Sequence, residues 1–149
     1  MSRGGSPAQY CTFVVGDMVF GVEVERVQEA IRFHPMTPVP LAPAVVGGLL
    51  NLRGQIVTAV DLRMRLGLPD RADAASPMNV VVRTAAGVVS LLVDEVGDVV
   101  EVDGTGFEPI PETVVAEGAD LIVGAHKLAE VLLLVLDVDT AVAPVPEPA

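Results

Sequence analysis

The chain has little of several residue types on which particular functions depend. It carries one cysteine, Cys11, in 149 residues, so it can form no intrachain disulfide and no cysteine-rich zinc site. Aromatic residues make up 3% of the sequence, and nine Lys and Arg residues stand against 20 Asp and Glu residues. The resulting formal charge of −11 would repel a phosphate backbone, and few rings are available to stack on bases. Nucleic-acid binding is therefore disfavoured.

Long apolar runs are also missing. None approaches the ~20 residues that span a bilayer, and the longest obvious one, VLLLVL at Val131–Leu136, is interpreted as a buried strand. The first ten residues, MSRGGSPAQY, contain no apolar segment typical of a signal peptide. Together with the single cysteine, these absences predict a soluble protein of the cytoplasm.

What the chain does have is aliphatic. Its composition is 51% hydrophobic, and with so few aromatics the core must consist mainly of Val, Leu and Ala. Valine favours strands, and the 14 glycines and 12 prolines are spread along the chain as turns between short strands would require. We expect a mainly β fold, with disordered tails at residues 1–8 and 143–149.

Local patterns predict individual elements. Hairpin turns are expected at Gly16-Asp17, Arg53-Gly54 and Ala86-Gly87. Val24–Ala30 has apolar residues at helical spacing, which predicts a short helix that ends near Glu29. Asp61 is expected to cap a second short helix, and Asp137 or Asp139 a last turn.

The sequence also repeats weakly. At one constant offset, Gly48, Leu52 and Asp61 correspond to Gly124, Leu128 and Asp137. Upstream, VFGVEVERV from Val19 corresponds to VVSLLVDEV from Val88, at a slightly shorter offset. We interpret this as two similar β units with an apolar interface and duplicated hairpins near residues 47–62 and 123–138.

The turn at Arg53-Gly54 requires a separate explanation. The corresponding turn of the second hairpin, Leu128–Glu130, has neither arginine nor glycine, so the scaffold alone does not account for Arg53. Gly54 is expected to supply a positive φ, which would fix the Arg53 side chain. A guanidinium suits a carboxylate, so Glu29 or an acidic partner is a candidate contact. The alternative is an ordinary solvated turn residue.

Three stretches carry a family resemblance: VQE at Val27–Glu29, GLLNLRGQIVTAVDLR at Gly48–Arg63 and LLVDEVGDVV at Leu91–Val100. In this order they resemble the CheW family of chemotaxis coupling proteins, over residues 10–142. The resemblance implies one domain of two SH3-like five-stranded β-barrels packed on a shared hydrophobic core, with a few short helices. It also implies a non-catalytic adaptor without a cofactor.

The same resemblance implies partners and site residues. CheW-like proteins bridge the cytoplasmic helical tip of methyl-accepting chemoreceptors and the regulatory domain of the histidine kinase CheA, at inner-membrane receptor arrays. Glu29 and Arg53 match polar receptor-coupling positions, and Asn51 and Gly54 belong to the turn. Valines match the receptor groove, although at least half should be core: Val27, Val93, Val96 and Val99.

Two positions depart from the family pattern. Thr58 stands where many members have proline, and Ala125-His126 replaces the glycine-rich pair that is common before the last hairpin. Because of His126, the resemblance does not predict the surface of the second barrel. No residue pattern indicates catalysis or a metal site, since His34 and His126 are isolated and Ser90 lies on no nucleophile elbow. The alternatives are a CheW-type scaffold for a pili or developmental pathway and, less favoured, a small-ligand-binding β-barrel or an enzyme that uses the cleft between the halves.

Overall fold

The computed structural model describes residues 8–32, 34–68, 77–103, 107–109, 119–128 and 131–142. These segments contain two short α-helices, α1 (Leu62–Arg65) and α2 (Val138–Val142), and two 3-10 turns, Val24–Arg26 and Ala119–Leu121. The strands are β1 (Ala8–Val15), β2 (Met18–Glu23), β3 (Val27–Ile31), β4 (Val46–Leu52), β5 (Gln55–Asp61), β6 (Met78–Thr84), β7 (Gly87–Val93), β8 (Glu95–Val102), β9 (Phe107–Glu108), β10 (Ile122–Lys127) and β11 (Leu132–Leu136).

The strands form two mixed sheets. The first has the order β8-β1-β2-β11-β10-β9, and the second has the order β3-β6-β7-β5-β4. Most neighbours are antiparallel, but β11 runs parallel to β2 and β5 runs parallel to β7. The chain therefore changes sheet between β2 and β3 and returns between β7 and β8, so each sheet contains strands from both halves of the sequence.

One largely aliphatic core lies between the two sheets. It is buried and takes side chains from both of them and from the short helices: Phe13, Val15, Phe20, Val22, Val60, Leu62, Leu66, Val80, Val82, Val89, Leu91, Val93, Leu121, Leu136, Val138, Ala141 and Val142. Burial of this much apolar surface is the main favourable term in folding. The predicted fold class, mainly β with two subdomains on a shared core, is confirmed. The first sheet has six strands rather than five because β9 adds two residues at its edge.

The second sheet curls round a small core of its own. Leu50 and Leu52 of β4 are buried there, and Ile31 of β3 packs against the same cluster. Because β3 and β4 stand at opposite ends of the strand order, their contact with one cluster brings the two edges of the sheet together. This is the closure expected of a small barrel.

The sequence repeat recurs in the registers of the two hairpins. Gly48 pairs with Ala59 in the β4–β5 hairpin, and its counterpart Gly124 pairs with Val135 in the β10–β11 hairpin. Both hairpins have a bulge immediately before that pair. Where each hairpin ends, an aspartate N–H donates to a carbonyl over 2.7 Å, from Asp61 to Val45 and from Asp137 to Leu121.

The upstream repeat recurs as well. Val27 pairs with Val82 between β3 and β6, while Val96 pairs with Phe13 between β8 and β1. On the alignment that sets Val19 against Val88, Val27 corresponds to Val96 and Phe13 corresponds to Val82. The two sheets thus have equivalent strand orders, in which β3 and β8 have exchanged places between the halves of the chain.

Several predicted elements differ in detail. The helix expected over Val24–Ala30 is wrong: only Val24–Arg26 forms a 3-10 turn, and β3 follows at once. Pairing with β6 outweighs the local spacing, and valine suits a strand. The Ala86-Gly87 turn occupies residues 85–86, because Gly87 already begins β7.

Other differences concern the ends of elements. The run Val131–Leu136 is not buried throughout, since Val131 and Leu132 are 46% and 54% exposed. Ala8, expected in a tail, begins β1. The rest of the two expected tails, residues 1–7 and 143–149, lies outside the described residues.

The expected aspartate caps are present. The Asp61 carboxylate accepts from the backbone N–H groups of Arg63 and Met64, and helix α1 begins at the next residue. In α2 the cap is Asp137 rather than Asp139, because the Asp137 carboxylate accepts from the N–H and the hydroxyl of Thr140. Each cap satisfies N–H groups that have no partner in the first turn of a helix.

Candidate functional site: the Arg53 turn and the valine positions

A two-residue turn between β4 and β5 presents Arg53. Leu52 pairs with Gln55, and the two residues between them have positive φ values, 53° for Arg53 and 90° for Gly54. This combination gives the tight hairpin turn whose twist matches the flanking strands. The Asn51 side-chain oxygen accepts from the Gly54 N–H at 2.9 Å. The positive φ expected of Gly54 is confirmed, and Arg53 shares it.

Glycine stands at position 54 for its backbone conformation alone. A β-carbon at Gly54 would meet no atom within 4 Å, so available space does not select glycine there. Its φ lies in the region that side chains other than glycine enter at a cost. The turn therefore sets the direction of the Arg53 side chain through backbone geometry.

Arg53 forms an ion pair with Glu29, through its Nη2 and the Glu29 Oε2. The Arg53 side chain remains 70% exposed, against 27% for Glu29. The hydrogen bond from Arg53 holds the pKa of Glu29 below its usual range, partly opposed by desolvation. The suggested contact between the two residues is thus present, and it orients a guanidinium that still faces solvent.

The position of Glu29 explains how two residues distant in sequence meet. Glu29 lies within β3, paired with Val81 of β6, and not at the end of a helix as the sequence suggested. β3 is one edge of its sheet, and the Arg53 turn follows β4, the other edge. The ion pair therefore joins the two edges where the barrel closes.

The four valines have different environments. Val93 is fully buried in the shared core, so a partner cannot reach it without unfolding. Val27 and Val96 are partly buried against that core, at equivalent positions on β3 and β8. Val99 is 52% exposed. The structure thus leaves Val27, Val96 and Val99 with exposed surface, and Val27 and Val96 lie against the core between the sheets.

The structure contains two ion pairs that the sequence analysis does not predict. Arg63 of α1 donates to both carboxylate oxygens of Asp94 at 2.9 Å, and the Gly16 N–H donates to the same carboxylate at 2.8 Å. Arg26 donates to Asp139 of α2 at 2.8 Å. Only the stretches V-D-L-R and V-D-E-V could have indicated the first tie. A bidentate arginine–carboxylate pair adds geometric specificity as well as energy.

The His126 side chain, on β10 of the first sheet, is buried rather than solvent-exposed. It is 4% exposed, and its ring lies 5.5 Å from that of Tyr10 and 5.1 Å from that of Phe107. Burial lowers the pKa of His126, and the Asp103 charge partly opposes this. His126 therefore contributes almost nothing to the surface of the second barrel. Thr58, the other departure, is buried in β5 between Leu49 and Val89.

Within the described residues, no group of three or more His, Cys, Asp and Glu side chains is arranged to hold a metal ion. Over the same ranges, no helix is both long enough and apolar enough to cross a membrane. The geometry defines a class of protein: a two-sheet β protein that presents an oriented arginine at a tight turn and partly exposed valines on β3 and β8.

Comparison with known proteins assigns the family. Residues 9–143 match the model of the CheW-like domain. The chain is 36% identical over 112 residues to the chemotaxis protein CheW of Rhizobium meliloti (strain 1021), covering 75% of this chain and 71% of the relative. It is 27% identical over 131 residues to the chemotaxis protein CheW of Klebsiella aerogenes, covering 88% and 79%.

A solved structure agrees with this assignment. The crystal structure of the scaffolding protein TtCheW from Thermoanaerobacter tengcongensis superposes with a TM-score of 0.82 at 24% identity, over 91% of this chain and 92% of that one. At that identity the superposition supports the fold alone. The chain belongs to the CheW-like domain family of chemotaxis adaptor proteins.

Proposed function

We propose that this chain couples the cytoplasmic helical tips of chemoreceptors to the regulatory domain of a CheA-type histidine kinase. It acts in the cytoplasm, at receptor arrays, as a non-catalytic adaptor built from a single domain over residues 10–142. Family membership supports the adaptor role. The relatives' names point to chemotaxis, and the alternative pathways and ligand-binding barrels have no comparable support.

One observation carries the proposal most directly: an exposed guanidinium fixed by a turn. A freely rotating arginine loses side-chain entropy on binding, whereas Arg53 is already held by a positive-φ turn and by Glu29. A preorganised arginine of this kind suits a carboxylate on a partner. Asn51 and Gly54 contribute by fixing the turn.

The receptor contact would combine this charge with apolar surface. A receptor tip is helical, and a helix docks by placing an apolar stripe into an apolar groove. Val27 and Val96 supply such surface against the core between the two sheets, Val99 adds an exposed side chain on β8, and buried Val93 belongs to the core itself. Glu29 lies two residues after Val27 on β3, so the polar and apolar parts of the surface share one strand.

The charge reversal Arg53→Glu tests this proposal. Pull-down of a receptor cytoplasmic fragment should weaken about tenfold or more, the size expected for the loss of one charge-assisted hydrogen bond. The circular dichroism spectrum should be unchanged, because both side chains are unbranched at Cβ and tolerate the turn equally. Lys127→Glu is the matched control, with the same change of charge at an exposed residue of the other sheet. It should bind the fragment normally.

A charge swap separates contact from orientation. In the double variant Arg53→Glu with Glu29→Arg the ion pair can form again, and the edges of the barrel stay tied. If Arg53 touches the partner itself, receptor binding should remain weak in the swapped protein. Full recovery would mean that Arg53 acts only through Glu29, and normal binding by Arg53→Glu alone would remove the residue from the interface.

A further inference from the structure

A cavity of about 350 Å³ opens where the first sheet meets helix α2. Its apolar walls include Val135 and Leu136 of β11. Polar or aromatic side chains from several elements surround the rest: Tyr10, Glu23, Arg26, Phe107, Asp137 and Asp139. Neither Arg53 nor Glu29 lines it, so this cavity is distinct from the proposed coupling surface. Its volume lies at the small end of the range for ligand pockets in proteins.

Tyr10 gives the cavity an unused polar group. The residue is 7% exposed, yet its hydroxyl has no hydrogen-bond partner among the described residues. Although the side chain as a whole is buried, the hydroxyl oxygen remains solvent-accessible, so it is available to a ligand in the cavity. Burial raises the pKa of Tyr10, and the negative charges of Glu23 and Glu25 raise it further. These two carboxylates therefore place negative charge near the Tyr10 hydroxyl, while the Arg26 guanidinium in the same wall is already paired with Asp139.

Of the three acidic residues that line the cavity, two already accept hydrogen bonds. Asp139 accepts from Arg26 and from the Ala85 N–H, both at 2.8 Å, and Asp137 caps α2 through Thr140. Glu23 is exposed. It is the N-cap residue of the 3-10 turn, but its side chain makes no capping hydrogen bond, and its carboxylate has no partner among the described residues. After these assignments one carboxylate and one tyrosine hydroxyl still lack partners.

We propose that this cavity binds a protonated amine or guanidinium group carried on a short apolar stem. The cation pairs with the Glu23 carboxylate and donates to the Tyr10 hydroxyl oxygen. The rings of Tyr10 and Phe107 offer cation–π contact, and the aliphatic walls cover the stem. Lysine and arginine side chains have this chemistry, whether in a free metabolite or in a partner segment.

Tyr10 can serve as an intrinsic fluorescence probe of this cavity. Tyr10 is the only tyrosine and there is no tryptophan, so intrinsic fluorescence reports on the cavity wall. Titration with N-acetyl-arginine amide should change the Tyr10 emission and saturate, with a dissociation constant on the order of 1 mM. The citrulline analogue, which has the same stem without the charge, should have no effect at the same concentrations. No receptor or kinase is needed, so the result is independent of the proposed coupling function.

Variants assign the contacts. Glu23→Gln should weaken binding of the arginine amide about tenfold, the loss expected for a charge-assisted contact. The matched control Glu101→Gln removes another exposed carboxylate, on β8 of the same sheet, and should bind normally. Tyr10→Phe keeps the ring but removes the hydroxyl; calorimetry should show severalfold weaker binding, with an unchanged melting temperature.

A peptide with arginine between two pairs of glycines distinguishes the two sources. Tighter binding of the peptide than of the amide identifies a partner segment, and equal or weaker binding identifies a small molecule. The proposal fails if no ligand changes the Tyr10 emission up to about ten times the expected dissociation constant. It also fails if citrulline amide binds as well as arginine amide, or if Glu23→Gln and Glu101→Gln behave alike.

Discussion

Replacing Arg53 by asparagine should make the protein more stable and less functional. Arg53 and Gly54 occupy the two positive-φ positions of a tight hairpin turn, for which Asn-Gly is the favoured pair. The left-handed region costs an ordinary L-residue about 1–2 kcal/mol, and asparagine enters it more readily because its short amide bonds locally. We expect Arg53→Asn to raise the free energy of unfolding by about 0.5–1 kcal/mol.

The lost ion pair opposes this gain and must be measured separately. The Arg53 side chain is 70% exposed, so solvent and salt screen its interaction with Glu29. Arg53→Asn should therefore be compared with wild type and again in a Glu29→Gln background, where no ion pair remains. The stabilisation should be larger in that background, and it corresponds to a rise in melting temperature of roughly 1–4 °C.

The assay is urea denaturation of the four proteins, followed by pull-down of a receptor fragment with each. All four should unfold with the same m-value, since none changes the surface exposed on unfolding. If Arg53→Asn lowers stability in the Glu29→Gln background, the reasoning from the backbone conformation is wrong. If Arg53→Asn leaves receptor binding unchanged, the Arg53 side chain does not contribute to receptor binding.

Two further outcomes are expected. Asp94→Ala should lower the free energy of unfolding in urea by about 2–4 kcal/mol, because it removes the two hydrogen bonds that the largely buried Arg63 guanidinium donates to Asp94. Asp17→Ala, at an exposed turn, should change it little. Hydrogen bonds from the Ala85 N–H and from Arg26 hold the pKa of Asp139 below its usual 3.8. The stabilisation from Asp139 is therefore present above that pH and lost as the pH falls through the lowered pKa. Thermal unfolding of wild type and Asp139→Asn should thus differ at neutral pH and converge in acid, and a difference that grows in acid would contradict this.

Turns and helix caps could be predicted from short sequence patterns. Turn chemistry located the hairpin at Arg53-Gly54, and capping chemistry located Asp61 at the start of α1. The repeat was also readable, because equivalent positions in the two sheets need similar side chains: the correspondence of Gly48 with Gly124 recurs in their strand pairing. These features depend on residues near one another in sequence or on a pattern that occurs twice.

Features that depend on distant partners could not be read in the same way. The spacing of Val24–Ala30 fits a helix, and only the pairing of β3 with β6 makes most of it a strand. Val93, Val96 and Val99 follow one another at intervals of three, but the strand breaks at Asp94. Burial therefore cannot be extrapolated from one valine to the next. The pairing of Arg53 with Glu29 was a hypothesis from charge alone, and barrel closure brings them together.

The exchange of β3 and β8 links the fold to the adaptor role. The chain passes between the sheets twice, at the 3-10 turn Val24–Arg26 and at Asp94. Each crossing is tied by an ion pair to the short helix that follows a repeated hairpin: Arg26 to Asp139 of α2, and Asp94 to Arg63 of α1. Arg63 and Asp139 occupy corresponding positions in the repeat, each two residues after its capping aspartate, so the two ties are counterparts with the charges reversed.

Each crossing leads directly into the candidate coupling surface. Val27 follows Arg26 as the first residue of β3, and Val96 follows Asp94 by two residues in β8. Because β3 pairs with a strand of the second half and β8 with one of the first, a shift of these two valines relative to each other would have to move the two crossings, each of which an ion pair ties to a helix. An adaptor that transmits a receptor's position needs this kind of rigidity, since a surface that yields under its partner passes on no displacement.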